Sequence, residues 1–197
     1  SVVAIVAGAP QLWRRSRGYA PRPLRLSAPV PCVLAVGPHL KSTITLLLND
    51  EAFISQHIGD LETPLARDAL ARVVVDFLDL YAAAPRAVAH DLHPDYASTA
   101  WLLTAHAAGQ RPGAPAWQAK LAAATLIPVQ HHHAHLVACL TEHRHHGEAL
   151  GITWDGAGLG PDGSVWGGEF LLGDAHGYER VAHLRPFALP GGDAAAR

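Results

Sequence analysis

Cysteine is scarce in this sequence. Cys32 and Cys139 are the two cysteines among its 197 residues, and no C-x-x-C spacing occurs. Their scarcity argues against a disulfide-stapled scaffold, and their separation argues against a zinc site built from thiolates. The composition fits a reducing compartment, so we expect a cytoplasmic protein.

The sequence also lacks a long apolar run and a net excess of charge. Its longest apolar stretch, residues 65–84, is interrupted by five charged side chains, so no segment is expected to span a bilayer. The formal charge is −2 at pH 7, which gives no basic excess for binding nucleic acid or anionic lipid. We therefore expect neither a membrane nor a nucleic acid as a partner. The hydrophobic fraction of 49% still allows a sizeable core.

Methionine is absent, even at the first position, and the N-terminal segment lacks the succession of charged, apolar and small residues that marks a signal peptide. We interpret the chain as a piece of a longer protein.

The N-terminal part of the chain predicts strands on either side of an irregular arm. Residues 1–7 read as a short strand, and residues 14–31 as an arm or linker, because four prolines interrupt any helix there. From Cys32, three β-favouring runs are separated by Gly37-Pro38 and Asn49-Asp50. This pattern predicts an antiparallel meander of three strands.

Helices and strands alternate in the rest of the chain. An apolar stripe predicts a helix after Thr63 as N-cap, with Pro64 at its first position. A short strand then precedes a helix that stops near Gly109, and a strand at 126–130 leads into a helix expected to end at Gly147. Strands around a glycine-rich turn follow. This order is typical of a ribonuclease-H-like subdomain, and the second meander from about residue 149 indicates a repeat.

Histidine is the compositional anomaly, with fourteen residues in all and seven of them between positions 131 and 146. On a helix, His131 and His135 of HHHAH lie one turn apart, with Cβ atoms about 5–6 Å apart on one face. Two imidazoles so placed can share a metal ion. His132 could pair with His135 instead, and a solvated first turn is the usual interpretation of a bare H-x-x-x-H. Its position after a strand favours a ligand site.

A glycine-rich segment follows the next predicted strand. Asp155 at the strand end could hold a metal ion, and Gly156, Gly158 and Gly160 would let backbone amides approach a phosphate. A tight hairpin explains the same pattern without a ligand.

Three smaller features carry weaker signals. Gly191 and Gly192 precede an acidic residue at a possible helix start. The segment around His93 crowds polar side chains at a strand-to-helix junction, where capping explains them equally well. The histidines at 143, 145 and 146 are expected to interact with a helix C-terminus.

Taken together, these motifs resemble one protein family along nearly the whole chain. RRSRGYAP, AVGPHLKST, SQHIGDLE, HDLHPDYAST, VQHHHAH, DGAGLGPDGSVWGGE and LPGGD occur in the order seen in the HypF carbamoyltransferases, which mature [NiFe]-hydrogenases. The resemblance implies an α/β fold of the ribonuclease-H-like, actin-Hsp70-sugar kinase (ASKHA) class, Kae-like and incomplete. Residues 1–30 would be the end of a YrdC-like domain and a linker, 31–148 a first subdomain, and 149–197 the start of a second. The resemblance thus implies a sheet that lacks its later strands and exposes apolar edges, so we expect this piece to be inactive alone.

The resemblance also implies a reaction. In the family, a YrdC-like domain makes carbamoyl adenylate from carbamoyl phosphate and ATP, and the Kae-type domain passes the carbamoyl group to the C-terminal cysteine of HypE for cyanide ligand synthesis. A divalent ion, iron or zinc, would be held by His131, His135 and Asp155, with another acidic ligand beyond Arg197. The implied nucleotide-binding residues are Gly156, Gly158, Gly160, Gly191 and Gly192, and the other site candidates are Lys41, His93, Asp95 and Asp193.

Three alternatives stay open. A tRNA threonylcarbamoyl transferase and an O-carbamoyltransferase are expected to share the fold, and the first of these also shares the H-x-x-x-H pair. A non-catalytic, histidine-rich metal-binding module is a third, from a different functional class. It predicts several bound ions and no dependence on nucleotide, whereas the transferase predicts one ion per site and ATP binding.

Overall fold

The computed structural model describes residues 1–186. The chain divides into two compact units, Ser1–Val129 and Gln130–Arg197. Within residues 1–186, no helix is both long and apolar enough to cross a membrane.

The first unit opens with a hairpin of two short strands, β1 (Val2–Val6) and β2 (Ala9–Arg14). The turn between them places Ala7 and Gly8 at positive φ, the conformation that a tight two-residue hairpin turn requires. The strand expected in residues 1–7 is therefore confirmed, and β2 is an element that the sequence analysis missed.

Two long antiparallel strands, β3 (Leu24–Ala35) and β4 (Thr45–Ile54), replace the expected three-strand meander. The prediction of a turn at Asn49-Asp50 is wrong. Asn49 takes a positive φ of 55°, but the chain continues in the same strand, with shifts of register opposite it in β3. The expected arm is also shorter than predicted, because residues 24–31 already belong to β3.

A four-stranded sheet organises the rest of this unit, in the order β4-β3-β5-β6. Strands β5 (Ala87–Asp91) and β6 (Thr125–Val129) run parallel to β3 and to each other. Parallel neighbours need crossover connections, and helices supply them. Helix α1 (Pro64–Leu80) precedes β5, while α2 (Ala97–Gly109) and the unpredicted α3 (Ala116–Ala122) connect β5 to β6.

The start of α1 confirms the predicted capping. The hydroxyl of Thr63 accepts a hydrogen bond from Ala66 N–H at 3.2 Å, and Pro64 occupies the first helical position. The apolar stripe of α1 is buried in the core of this unit together with side chains from the sheet and from α2 and α3; the fully buried members are Leu34, Leu46, Leu70, Val74, Leu78, Val88, Leu102 and Leu121.

The described part of the second unit, residues 130–186, contains one helix and one sheet. Helix α4 (His131–Glu142) is followed by the antiparallel meander of β7 (Ala149–Leu159), β8 (Val165–Gly173) and β9 (Tyr178–His183). The second meander is thus confirmed.

The expectation that α4 extends to Gly147 is wrong. Arg144 takes a left-handed φ of 54°, its N–H donates to Thr141 O, and His145 N–H donates to Leu140 O at 2.9 Å. This is a Schellman arrangement, which ends a helix and is usually built on glycine at the residue with positive φ. The histidines at 143, 145 and 146 therefore follow the helix and do not occupy its last turn.

Candidate metal centre

The first turn of α4 presents the two predicted ligand histidines side by side. Gln130 caps the helix, because its side-chain Oε1 accepts a hydrogen bond from His133 N–H at 2.8 Å. The helix therefore begins at His131, and His135 lies one turn further along the same face. Their Nε2 atoms are 3.3 Å apart.

Strand β7 brings Asp155 to these histidines. Its pairing with β8 is interrupted between Trp154 and Gly158, so Asp155 lies in an irregular part of the strand. Asp155 Oδ2 is 2.8 Å from His131 Nε2 and 3.6 Å from His135 Nε2. The other oxygen, Oδ1, accepts a hydrogen bond from Gly156 N–H at 2.7 Å, which fixes the orientation of the carboxylate.

These three ligand atoms fit a single metal ion. Their separations run from 2.8 to 3.6 Å. Nitrogen and oxygen ligands bound at about 2.0–2.2 Å, with angles between octahedral and tetrahedral, stand about 2.8–3.6 Å from each other. Among residues 1–186, His131, His135 and Asp155 form the one such group of histidine, cysteine and acidic side chains. Two imidazoles and one carboxylate are also the protein ligands of some catalytic zinc sites.

The electrostatics of the group also suit a cation. Contacts from the side chains of His131 and then His135 lower the pKa of Asp155 well below the usual range, so its carboxylate is ionised near neutral pH. The side chain of His135 is 54% exposed, whereas that of His131 is 14% exposed. The group is therefore anchored on one side and open to solvent on the other.

The other two histidines of the run have different surroundings. His132 is fully buried, and burial lowers the pKa of its imidazole, so the ring is neutral at pH 7. His133 Nε2 lies 2.8 Å from Asp174 O, and its ring packs on Tyr178. The structure thus brings His131, and not His132, to Asp155.

The glycines of β7 have packing reasons of their own. A Cβ at Gly158 would lie 2.7 Å from His132 Cε1, and one at Gly160 would overlap Trp166. Gly156 has open space where a Cβ would be, so packing does not require glycine there. A nucleotide contact at these three positions stays a prediction. The predicted residues Gly191, Gly192 and Asp193 lie outside the described residues.

The remaining site candidates belong to the first unit. Lys41 is exposed at a positive φ of 51°, and its N–H donates to Asp60 at 2.7 Å. The ring of His93 stacks on Tyr96 with centroids 4.4 Å apart, and its Nδ1 accepts from Asp95 N–H. The contacts of His93 lie at the start of α2 and fit helix capping, and any ligand role of Lys41, His93 or Asp95 stays a prediction.

Sequence reasoning missed a buried ion pair beside β7. The side chain of Glu169 on β8 is 2% exposed, and its Oε2 accepts a hydrogen bond from Arg180 Nε at 2.5 Å. The guanidinium of Arg180 also lies 4.2 Å from the centre of the Trp166 ring. The available signal was a lone acidic residue inside the apolar run of β8.

Comparison with known proteins assigns the family. Residues 28–142 match the model of the HypF Kae1-like domain, and residues 151–197 match that of the second subdomain of the carbamoyltransferase Kae1-like domain. The chain belongs to the HypF family. The predicted α/β, Kae-like fold class is thereby confirmed.

Individual HypF proteins agree along almost the whole chain. Carbamoyltransferase HypF2 of Cupriavidus necator is 46% identical over 95% of the chain, which spans 22% of that protein. Carbamoyltransferase HypF of Synechocystis sp. is 39% identical over the full chain, which spans 24% of it. A crystal structure of full-length HypF in the phosphate- and nucleotide-bound form superposes with a TM-score of 0.79 and 38% identity, covering 93% of this chain and 22% of that one. The chain thus spans about a quarter of the length of its curated relatives.

Proposed function

We propose that this chain contributes the metal-assisted transfer step of a carbamoyltransferase in [NiFe]-hydrogenase maturation. The observation that carries the proposal is the convergence of His131, His135 and Asp155 in a chain of the HypF family. Relatives that are 39–46% identical are named carbamoyltransferases, which supports the reaction class. The proposed domain division is the end of a YrdC-like domain in residues 1–30, a first subdomain in 31–148 and a second from 149.

The proposed substrates are carbamoyl phosphate and ATP, which the protein would join as carbamoyl adenylate, and the proposed acceptor is the C-terminal cysteine of HypE. In the transfer, the thiolate sulfur forms a bond to the carbamoyl carbon. The bond from that carbon to the phosphate oxygen breaks, and AMP leaves with the electron pair. The phosphate- and nucleotide-bound crystal structure of a full-length HypF supports a nucleotide as substrate.

The role of each ligand residue follows from its chemistry. His131 and His135 offer two imidazole nitrogens, and Asp155 offers an ionised oxygen that offsets the charge of a divalent cation. Gly156 N–H holds the carboxylate so that its second oxygen faces the imidazoles. An iron or zinc ion bound there would polarise a phosphate or carbonyl oxygen as a Lewis acid. The solvent-exposed side at His135 leaves room for the substrate to approach.

The alternatives find less support. A threonylcarbamoyl or O-carbamoyl transferase shares the fold class, but both parts of the chain match models of the HypF domain. A histidine-rich metal store needs several clusters, whereas two of the fourteen histidines form the one group found among residues 1–186. A cytoplasmic setting is part of the proposal, and it is supported by Cys32 and Cys139, which are free thiols.

A titration of the complete protein with zinc, with and without ATP, tests the proposal. We expect one tightly bound ion at this site and formation of carbamoylated HypE from carbamoyl phosphate and ATP. The His131→Ala variant should lose at least about 100-fold in metal affinity, more than residues that only support ligands, and should lose the transfer activity. The His143→Ala variant, at the opposite end of α4 and outside the group, is the matched control and should retain both. Several equivalent ions, or full transfer by His131→Ala, would contradict the proposal.

A further inference from the structure

His132, the second residue of the histidine run, faces away from the metal ligands and into the fold. Its side chain has no solvent exposure. A Cβ at Gly158 would lie 2.7 Å from His132 Cε1 and 3.0 Å from His132 Nδ1, so the imidazole rests directly on the backbone of β7. Glycine at 158 is what allows this close approach.

The hydrogen bonds of Gln130 determine which nitrogen of His132 carries the proton. A backbone N–H can only donate, so the atom that receives His133 N–H must be Gln130 Oε1. The other end of the amide, Nε2, is then the atom 3.0 Å from His132 Nδ1, and it also reaches Leu159 O at 3.4 Å. Because an amide nitrogen donates, His132 Nδ1 accepts and the imidazole proton is on Nε2.

Packing alone does not account for a histidine at this position. Among the residues that the structure describes, nothing accepts a hydrogen bond from the buried His132 Nε2. A buried donor without an acceptor is costly compared with an apolar side chain of similar size. The imidazole therefore carries a desolvation penalty at Nε2 that a phenylalanine would avoid. Its one side-chain hydrogen bond among the described residues is the one that Nδ1 accepts from Gln130.

The helix docks on β7 through two glycines on either side of Asp155. His132 rests on Gly158, and Leu136, one turn later, would lie 2.7 Å from a Cβ at Gly151. These are the two buried residues of α4. We call His132 and Leu136 the docking pair; each follows one of the ligands, His131 and His135, by one residue. How closely the docking pair approaches the backbone of β7 therefore determines the distance from the ligand imidazoles to Asp155.

We propose that His132 and Gln130 are positioning residues for the metal centre, and the inference rests on the proposed function. His132 packs the first turn of α4 against Gly158. Gln130 fixes the orientation of the His132 ring, because its own amide is held by the hydrogen bonds to His133 N–H and Leu159 O. This packing holds His131 Nε2 at 2.8 Å from Asp155 Oδ2. Because its Nδ1 is occupied and its Nε2 is protonated and buried, His132 is itself removed from competition for the ion.

Cobalt(II) binding by the complete protein tests this role, with two variants that disturb it in different ways. His132→Phe keeps a ring over Gly158 but removes the acceptor. Gln130→Glu keeps the acceptor for His133 N–H, but it replaces the donor to Leu159 O by an oxygen that repels this carbonyl, and it moves the proton of His132 to Nδ1. Each should weaken cobalt binding about 10- to 100-fold and change the visible absorption bands of the bound ion, as loss of a supporting contact does. His143→Phe, the same substitution at an exposed position after α4, should change neither.

Melting curves of the metal-free proteins separate positioning from simple stability. A purely structural role would lower the melting temperature and leave the affinity and the cobalt spectrum of the folded protein unchanged, and this result in both variants would overturn the inference. If His132→Phe does not fold, Gln130→Glu decides, because it retains the helix cap. Wild-type protein that binds no cobalt would instead refute the proposed metal site, and the inference with it.

Discussion

The carboxylate of Glu169 is nearly excluded from solvent, and its charge is balanced by Arg180. Burial raises the pKa of Glu169, but the hydrogen bonds from Arg180 and from Gly167 N–H outweigh that effect, and the net pKa is lowered. The folded protein therefore takes up this proton at a lower pH than the unfolded chain. The stability that the pair contributes is present above the usual glutamate pKa of about 4.3 and is lost as the pH falls through the lower folded value.

Glu169→Gln should reduce the free energy of unfolding by about 3 kcal/mol at pH 7, because the largely buried Arg180 would lose the carboxylate to which it is hydrogen-bonded and keep only the more distant Asp162, at 3.8 Å. The loss should shrink as the pH falls below about 4, since the wild type then loses the same interaction. Denaturant unfolding between pH 3 and 7 measures both effects. The surface pair of Arg25 and Asp50 supplies the control: Asp50→Asn should cost less than about 1 kcal/mol at pH 7. Equal costs for the two variants would contradict the assigned role of Glu169.

At the scale of residues, the sequence was informative where side chains of the same type recur at the spacing of a helical turn. His131 and His135 are one turn apart, and Asp155 was expected at the end of a strand, so all three were predicted as ligands. The expected strand end is wrong, because β7 continues to Leu159. The contact between Gln130 and His132 was missed, and so was the buried pair of Glu169 and Arg180. Their roles depend on hydrogen bonds and close contacts between separate elements, which neither residue type nor spacing encodes.

Among the elements, α4 and β7 form the frame of the candidate metal centre. Leu136 and His132 occupy the spaces above Gly151 and Gly158, and Asp155 lies between these two glycines in sequence. The contact is therefore made by side chains of the helix against bare backbone of the strand. A side chain added to the strand must push the helix away.

Gly151→Val tests this arrangement at the position further from the histidines. The new side chain would displace Leu136, lowering the free energy of unfolding by about 1–3 kcal/mol, as overpacking does. It should also weaken zinc binding, because the first turn of α4 moves away from Asp155. Gly177→Val is the matched control, since a Cβ there meets no atom within 4 Å. Chemical denaturation measures the stability of both variants, and zinc titration measures their affinity. Unchanged zinc affinity in Gly151→Val would contradict the claim that the contact between α4 and β7 positions the ligands.

Element boundaries were harder to predict than element types. The capping residues of α1 and the presence of strands at β5 and β6 follow from local patterns, and they were predicted. The end of α4 was predicted wrongly. The helix was expected to end at Gly147, but it is Arg144 that takes the left-handed conformation which terminates it. The continuity of β4 was missed for a similar reason, since Asn49 takes a positive φ without reversing the chain.

At the scale of the whole molecule, metal binding and folding should be linked. An ion that binds the folded chain and not the unfolded one stabilises the fold by about 2.7 kcal/mol when its free concentration is one hundred times the dissociation constant. The ligands come from α4 and from β7, so the folded second unit is required to bring them together.

Thermal unfolding of the complete protein with zinc, and then with excess chelator, tests this linkage. The wild type should melt at a higher temperature with zinc and return to the metal-free value with chelator. Asp155→Asn keeps the shape of the side chain but removes its charge, so most of the zinc-dependent increase should disappear. An equal increase in this variant would show that zinc stabilises the protein from another site.

The one-residue offset between the ligand pair and the docking pair of α4 limits how the motif can evolve. Each residue advances a helix by about 100°, so one residue inserted between His132 and His135 would move His135 to the docking position, and one deleted there would move Leu136 to the ligand position. Either change would cost the site one ligand or the helix one docking residue. Substitutions at positions 133 and 134 leave this phase intact. Related sequences should therefore vary in the identity of these inner residues while keeping the length of the run constant.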